Sequence, residues 1–196
     1  MDLASVSTRK QHGGLRRRNF VLYLARMPNV RTHDLITTAS GVALFPVTWL
    51  AVPGHSITVA LTISGAHLLA GLLFSPDLDI FAVNYRRWGP FRVLWWPYAK
   101  AIPHRSLLSH GLIIGPLLQL VYFVAVFGGL FSALLLLLGQ WTLWNLLLAS
   151  VLNGAAAYPA LVLALVCGFI TGGASHSIPD WISTGTKRTW NSWTKY

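Results

Sequence analysis

The chain has 196 residues, 54% of them hydrophobic and only 10% charged, with a mean hydropathy of +0.56 and a formal net charge of +10. Such a composition excludes an ordinary soluble domain, and the single cysteine, Cys167, excludes both a disulfide framework and a thiolate zinc cluster. The basic excess invites nucleic acid as a partner, yet Lys and Arg that flank apolar runs record membrane orientation and attraction to anionic lipid, so lipid and no nucleic acid is expected.

Residues 1–31 form a basic arm with Arg9, Lys10, Arg16, Arg17, Arg18, Arg26 and Arg31. The first apolar run follows this arm, which therefore reads as a retained segment rather than a cleavable signal. From Leu35 to Pro76 there is no Asp, Glu, Lys or Arg. A spanning helix needs roughly 20 apolar residues, so two spans fit: Leu35 to Val52, closed by Pro53-Gly54, and Ile57 to Phe74, closed by Ser75-Pro76. His55 and Ser56 form the tight turn between them.

Residues 77–110 hold Arg86, Arg87, Arg92, Lys100 and Arg105 interleaved with Tyr85, Trp88, Trp95, Trp96 and Tyr98. This is the composition of an interfacial connection at headgroup depth, with the aromatic run as a belt. Ser106 to Pro179 is again free of Asp, Glu, Lys and Arg. A third span reads from about Leu112 to about Leu138, residues 139–158 form an amphipathic return or a further short span, and a fourth runs from Pro159 to the Gly172-Gly173 pair. With four spans every Lys and Arg falls on one side, whereas a fifth would carry Lys187 and Arg188 across. The expected fold is thus all-α: a polytopic membrane bundle of about four helices over residues 32–181, followed by a C-terminal tail, 182–196. Both termini lie on the cytoplasmic side of a plasma or thylakoid membrane. Gly71, Gly115 and Gly128-Gly129 suit close helix packing.

That topology places His33 and Asp34, Asp77 and Asp79, His104 and His110, and His176 and Asp180 at four junctions on the basic side. Glu is absent and four of the five acids lie in these junctions. Imidazole and carboxylate suit Zn, Mn, Fe or Mg, and these groups can hold one divalent ion with supporting partners, or two ions sharing a carboxylate. Ser75-Pro76 suits a cap that aims Asp77 and Asp79. Pro179 argues against an uninterrupted helix through His176 and Asp180. Each signal has a plainer reading: Thr32 or Asp34 as the cap of span one, Asp77 and Asp79 as a capping turn, His104 and His110 as interfacial polar groups, and His176 and Asp180 as a helix stop followed by a cap. His67, mid-span, suits an interhelical hydrogen bond, His55 is on the far side and His12 is in the arm.

The series T-H-D (32–34), S-P-D-L-D (75–79), R-W-G-P-F-R-V-L-W-W-P-Y (87–98), H-R-S-L-L-S-H-G (104–111) and H-S-I-P-D-W (176–181) resembles a family of metal-binding membrane proteins of unknown function that is widespread in cyanobacteria. More distantly it is similar to inner-membrane metal-dependent hydrolases of bacteria, which share a PDxD, HRxxTHS and HxxxD pattern; Ser109 stands where those have Thr. The resemblance implies metal ligands at Asp77, Asp79, His104, His110, His176 and Asp180, to which the T-H-D motif adds His33. For an enzyme of this kind the expected roles are Asp79 or Asp180 as general base and Arg105 or Arg87 on an anionic group of a phosphoester. The alternative is a non-catalytic accessory subunit or assembly factor of a larger membrane complex, in which the basic arm and the tail with Trp190, Trp193 and Tyr196 bind the partner. Transport ranks last, since His67 is the one ionisable group offered along a transmembrane route.

Overall fold

The computed structural model describes residues 30–80, 82–104 and 106–193, with side chains to Ser183. Among the described residues every regular element is helical. The arm before Val30, and Arg105, lie outside them. Four helices are long and apolar enough to cross a membrane: Val30–Ala51, Ile57–Asp79, Ile114–Leu137 and Pro159–Ser183.

Helix α1 (Val30–Ala51) and α2 (Ile57–Leu73) form a hairpin. Its turn uses Gly54 and His55, both at positive φ, and Ser56 caps α2 by accepting from the Val59 amide. α1 is already helical at Val30, before the expected start at Leu35, so His33 and Asp34 sit inside the helix instead of capping it. α2 is the central helix, with α1 on one side and α9 (Pro159–Trp193, 35 residues) on the other.

α9 does not stop at Gly172-Gly173, and it continues through Pro179. The glycines are contact points: a Cβ on Gly172 would lie 2.3 Å from the His67 carbonyl oxygen, and one on Gly173 2.2 Å from Pro116 Cγ. Lacking side chains, they let the backbones approach and so favour the helix that packs there. Proline removes one intrahelical donor, and α9 continues past it from a well-packed stretch in which His176 and Ser177 are buried. Gly71 is packed in the same way, against Thr37 and Gly172, and Gly115 against Ser109; Gly128 and Gly129 face open space, contrary to expectation.

Between α2 and the third long rod the chain does not lie flat as a belt. It folds into a cap: a 3-10 turn (Pro76–Asp79), α3 (Val83–Arg87), a 3-10 segment (Gly89–Trp95), α4 (Trp96–Ala101) and α5 (Leu107–His110). Trp95 and Tyr98 are buried in a cluster with Phe74, Leu78, Tyr85 and Phe169, while Trp96 and Phe91 remain exposed. Edge-to-face contacts of Phe74 with Trp88, Trp95, Phe123 and Phe169 tie the cap to two membrane-length rods. The Trp88 indole also donates to the Leu73 carbonyl, at 3.0 Å.

α6 (Ile114–Phe123), a π segment (Val124–Gly128) and α7 (Gly129–Leu137) run on as one apolar rod away from the cap. Residues 139–158 resolve into a single 17-residue helix, α8 (Trp141–Ala157), none of whose residues is buried. His176 follows the start of α9 by about 25 Å at ~1.5 Å per residue. α8 therefore joins α7 to α9 at the end of the bundle remote from the cap. His67 makes the interhelical bonds expected of it: Nε2 lies 2.8 Å from Ser40 Oγ and Nδ1 3.0 Å from Thr171 Oγ1, linking α1, α2 and α9.

Candidate metal centre

The cap and three helix ends meet at one end of the bundle. Each ligand-type side chain arrives there by a local device. His33 lies within α1 and is buried against the bundle. Ser75 accepts from the Asp77 amide at 3.3 Å and Pro76 opens the 3-10 turn, which aims Asp77 and Asp79 in different directions. Ser75 is itself pinned: its hydroxyl accepts from the Asn84 amide and its carbonyl from Gln119 Nε2 at 3.0 Å. Ser106 caps the short α5, whose last residue is His110. Because α9 is continuous, His176 and Asp180, four residues apart, share one face, one turn above the other.

The result is two groups of three whose ligand atoms lie within 4.8 Å of one another: His33, His176 and Asp180, and Asp77, His104 and His110. Contacts join the two. His33 Nε2 lies 3.3 Å from Asp180 Oδ1 and His176 Nε2 lies 3.4 Å from Asp77 Oδ2. His110 Nε2 lies 3.9 Å from both Asp77 Oδ1 and Asp180 Oδ2. The rings of His33 and His176 are stacked, with centroids 4.0 Å apart.

These separations discriminate between hydrogen bonding and ligation. An N–H to carboxylate bond spans roughly 2.7–2.9 Å. Two atoms on one zinc, each about 2.1 Å from it at the tetrahedral angle, sit roughly 3.4 Å apart. The contacts among His33, His110, His176, Asp77 and Asp180 fall in the wider range. His176 Nε2 is buried with no hydrogen-bond partner, a costly state for a nitrogen that has left water but a fitting one for a ligand atom. The residues present thus suit a divalent ion.

Asp79 differs. Its Oδ1 lies 2.8 Å from His104 Nδ1, a hydrogen-bond distance, and its side chain is fully buried, whereas that of His104 is 35% exposed. A carboxylate behind an imidazole fixes ring orientation and leaves Nε2 to meet a metal. Ser109 does the same for His110. Its hydroxyl donates to the Pro103 carbonyl at 3.2 Å and accepts from His110 Nδ1 at 3.0 Å, which leaves the Nε2 lone pair facing Asp77 and Asp180. Burial also holds His110 below the usual histidine pKa, against the pull of the neighbouring carboxylates, and so favours the neutral, ligating form. The supporting roles of Ser109, Asn84 and Gln119 are absent from the sequence reading; the hydroxyl kept at position 109, where the related pattern has Thr, is the only signal for them.

Asp34 is turned away. Arg87 grips it with two nitrogens, one at 3.0 Å, and also donates to the Leu72 carbonyl, so this pair fastens α1 to the cap outside the cluster. Arg105, expected at an anionic group, lies outside the described residues, as does His12, while His55 stands at the far hairpin turn.

A helical bundle that brings seven histidines and aspartates from four separated chain regions to one end is the architecture of a metal-binding protein. The chain belongs to the family described as "Uncharacterized metal-binding protein (DUF2227)", whose profile matches residues 28–190. No curated protein and no solved structure matches it.

A positioning role for Asp79 has a measurable signature. Asp79→Asn is expected to weaken metal binding by roughly 10–100-fold without abolishing it, as loss of such a carboxylate typically does. Competition against a chelator of known affinity measures this, and unchanged affinity would count against the role.

Proposed function

We propose that the protein is an integral membrane metal-dependent hydrolase that cleaves a phosphoester at headgroup depth, with its metal centre and both termini on the cytoplasmic side. The observation that carries the reading is the convergence of His33, Asp77, His104, His110, His176 and Asp180 at one bundle end, where the His104 side chain is part-exposed. Membrane insertion is supported by the four long apolar helices and by large outward-facing side chains such as Leu35, Val121, Leu137 and Leu163, a surface that water does not tolerate in such extent. The sidedness is supported by the charge: with four crossings all Lys and Arg fall at the metal-centre end.

Hydrolysis is supported by the donor set and by the distant likeness of its motifs to bacterial inner-membrane hydrolases. When bound, a divalent ion in such a site supplies a water acidified to near neutral pH and a Lewis acid for a phosphoryl oxygen. The chain's own residues then have distinct tasks. Asp79, enclosed, keeps His104 in register. Asp180, a quarter exposed, is the carboxylate for the attacking water, and its task is to take that water's proton at Oδ2, the oxygen farther from its histidine partners. Arg105, next to His104 in sequence, is the cation for the substrate's remaining phosphate charge, since Arg87 is committed to Asp34.

The test is turnover of bis(p-nitrophenyl) phosphate and of a fluorescent phospholipid in anionic vesicles by purified, manganese- or zinc-loaded protein. Chelation should abolish turnover, and Asp180→Asn should lower it by about 10²-fold or more, beyond any loss of metal. Folded, fully loaded protein with no turnover on either ester would overturn the hydrolase reading in favour of a non-catalytic subunit.

A further inference from the structure

We propose that the centre holds two divalent ions, one in each group of three, with Asp77 shared between them. This rests on the metal-binding reading and not on hydrolysis. Six side chains stand in the two groups, whereas a single zinc takes three or four protein ligands. Each group is separately adequate: two imidazoles and one carboxylate in each.

Asp77 supplies the bridge. Its Oδ1 faces His110, within its own group, and its Oδ2 faces His176, in the other, at 3.4 Å. A carboxylate that divides its two oxygens between two sets of nitrogens is placed to serve ions roughly 3.5–4 Å apart, the usual spacing of two-metal sites. Asp180 makes the same division less closely, with Oδ2 at 3.9 Å from His110. That oxygen is the one left for water.

Charge balance points the same way. Asp77, Asp79 and Asp180 bring three negative charges into one cluster, and their imidazole neighbours His33, His110 and His176 are buried. One divalent ion leaves the cluster negative in a poorly solvated place, which is costly. Two ions with one hydroxide bring it to neutrality. The stacked pair His33 and His176 places two buried imidazoles together on the α1 and α9 side, with His33 Nε2 3.3 Å from Asp180 Oδ1, a donor set that suits a cation there.

The experiment is metal counting on the intact purified chain, by mass spectrometry after saturation with Mn(II) and removal of loosely held ions, together with electron paramagnetic resonance of the same sample. Two ions per chain with an exchange-coupled, multiline spectrum are expected. One ion per chain overturns the proposal while leaving the metal-binding reading intact; none overturns both. Two ions with the simple six-line spectrum of isolated Mn(II) overturn the shared carboxylate. His33→Ala, checked for helical content by circular dichroism, should keep one ion and lose the coupled signal. Retention of both ions in that variant would overturn the assignment of His33.

Discussion

Stripping the metal from the purified protein lowers its thermal unfolding midpoint by roughly 5–10 °C for each ion removed, and adding Zn or Mn back restores it. The size follows from linkage: an ion at about 100 times its dissociation constant stabilises the folded state by ~2.7 kcal/mol, and each kcal/mol moves the midpoint by about 2–4 °C in a chain of this length. The direction follows from the site. Without an ion, Asp79 Oδ2 is buried with no hydrogen-bond partner, His176 Nε2 meets Asp77 only at 3.4 Å, and Asp77 and Asp180 both lie 3.9 Å from His110, so this end of the bundle is held by long contacts alone. The part of α1 around His33, the 3-10 turn, α5 and the late part of α9 are held together there largely through these side chains, and they loosen together when the cation leaves. The measurement is a thermal melt in mild detergent with and without chelator, metal content being determined in parallel. An unchanged midpoint in protein shown to be metal-free would mean that the cap and the helix ends are held by the aromatic cluster alone.

How these residues come together was legible in the sequence to an uneven degree. The clustering of the candidate ligands could be read because acids are scarce: in a chain with no Glu and five Asp, four acids at helix junctions beside histidines demand a reason. Helix boundaries of α2 and of the Ile114–Leu137 rod could be read from apolar length and turn residues. The continuity of α9 could not. Gly172-Gly173 and Pro179 are stop signals by local propensity, and only contact with His67, Ala70 and Pro116, far away in sequence, shows that the glycines are packing surfaces. That error hid the simplest fact about His176 and Asp180, that they are successive turns of one helix face. The aromatic run misled for a related reason. Trp95 and Tyr98 stand among arginines, which favours an interfacial position, but their burial is decided by Phe74 and Tyr122 across the fold. Which carboxylate ligates and which one orients a histidine was beyond any pattern, because it turns on the difference between 2.8 Å and 3.4 Å.

The same close approach makes Gly172 a sensitive packing position. Gly172→Ala is expected to destabilise the fold by about 1–3 kcal/mol and to lower metal occupancy, although residue 172 touches no ligand. A methyl there meets the His67 carbonyl oxygen at 2.3 Å, Ala70 Cβ at 2.8 Å and the Gly71 amide nitrogen at 3.0 Å. Two of these are backbone atoms of α2 and cannot rotate aside, so relief requires α2 and α9 to separate. Separation at that height displaces His176, about one turn further along α9, from Asp77, just beyond the end of α2, whose 3.4 Å contact joins the two ligand groups. Metal affinity and stability therefore fall together. Gly128→Ala is the control: a Cβ there meets nothing within 4 Å, and replacing a helical glycine by alanine is neutral or stabilising by roughly 0.5–1 kcal/mol. Thermal melts and metal content of the two variants, prepared side by side, decide the matter. A Gly172→Ala protein as stable and as metal-rich as Gly128→Ala would show that α2 and α9 can part at their crossing without disturbing the centre, and that the centre is held by the cap instead.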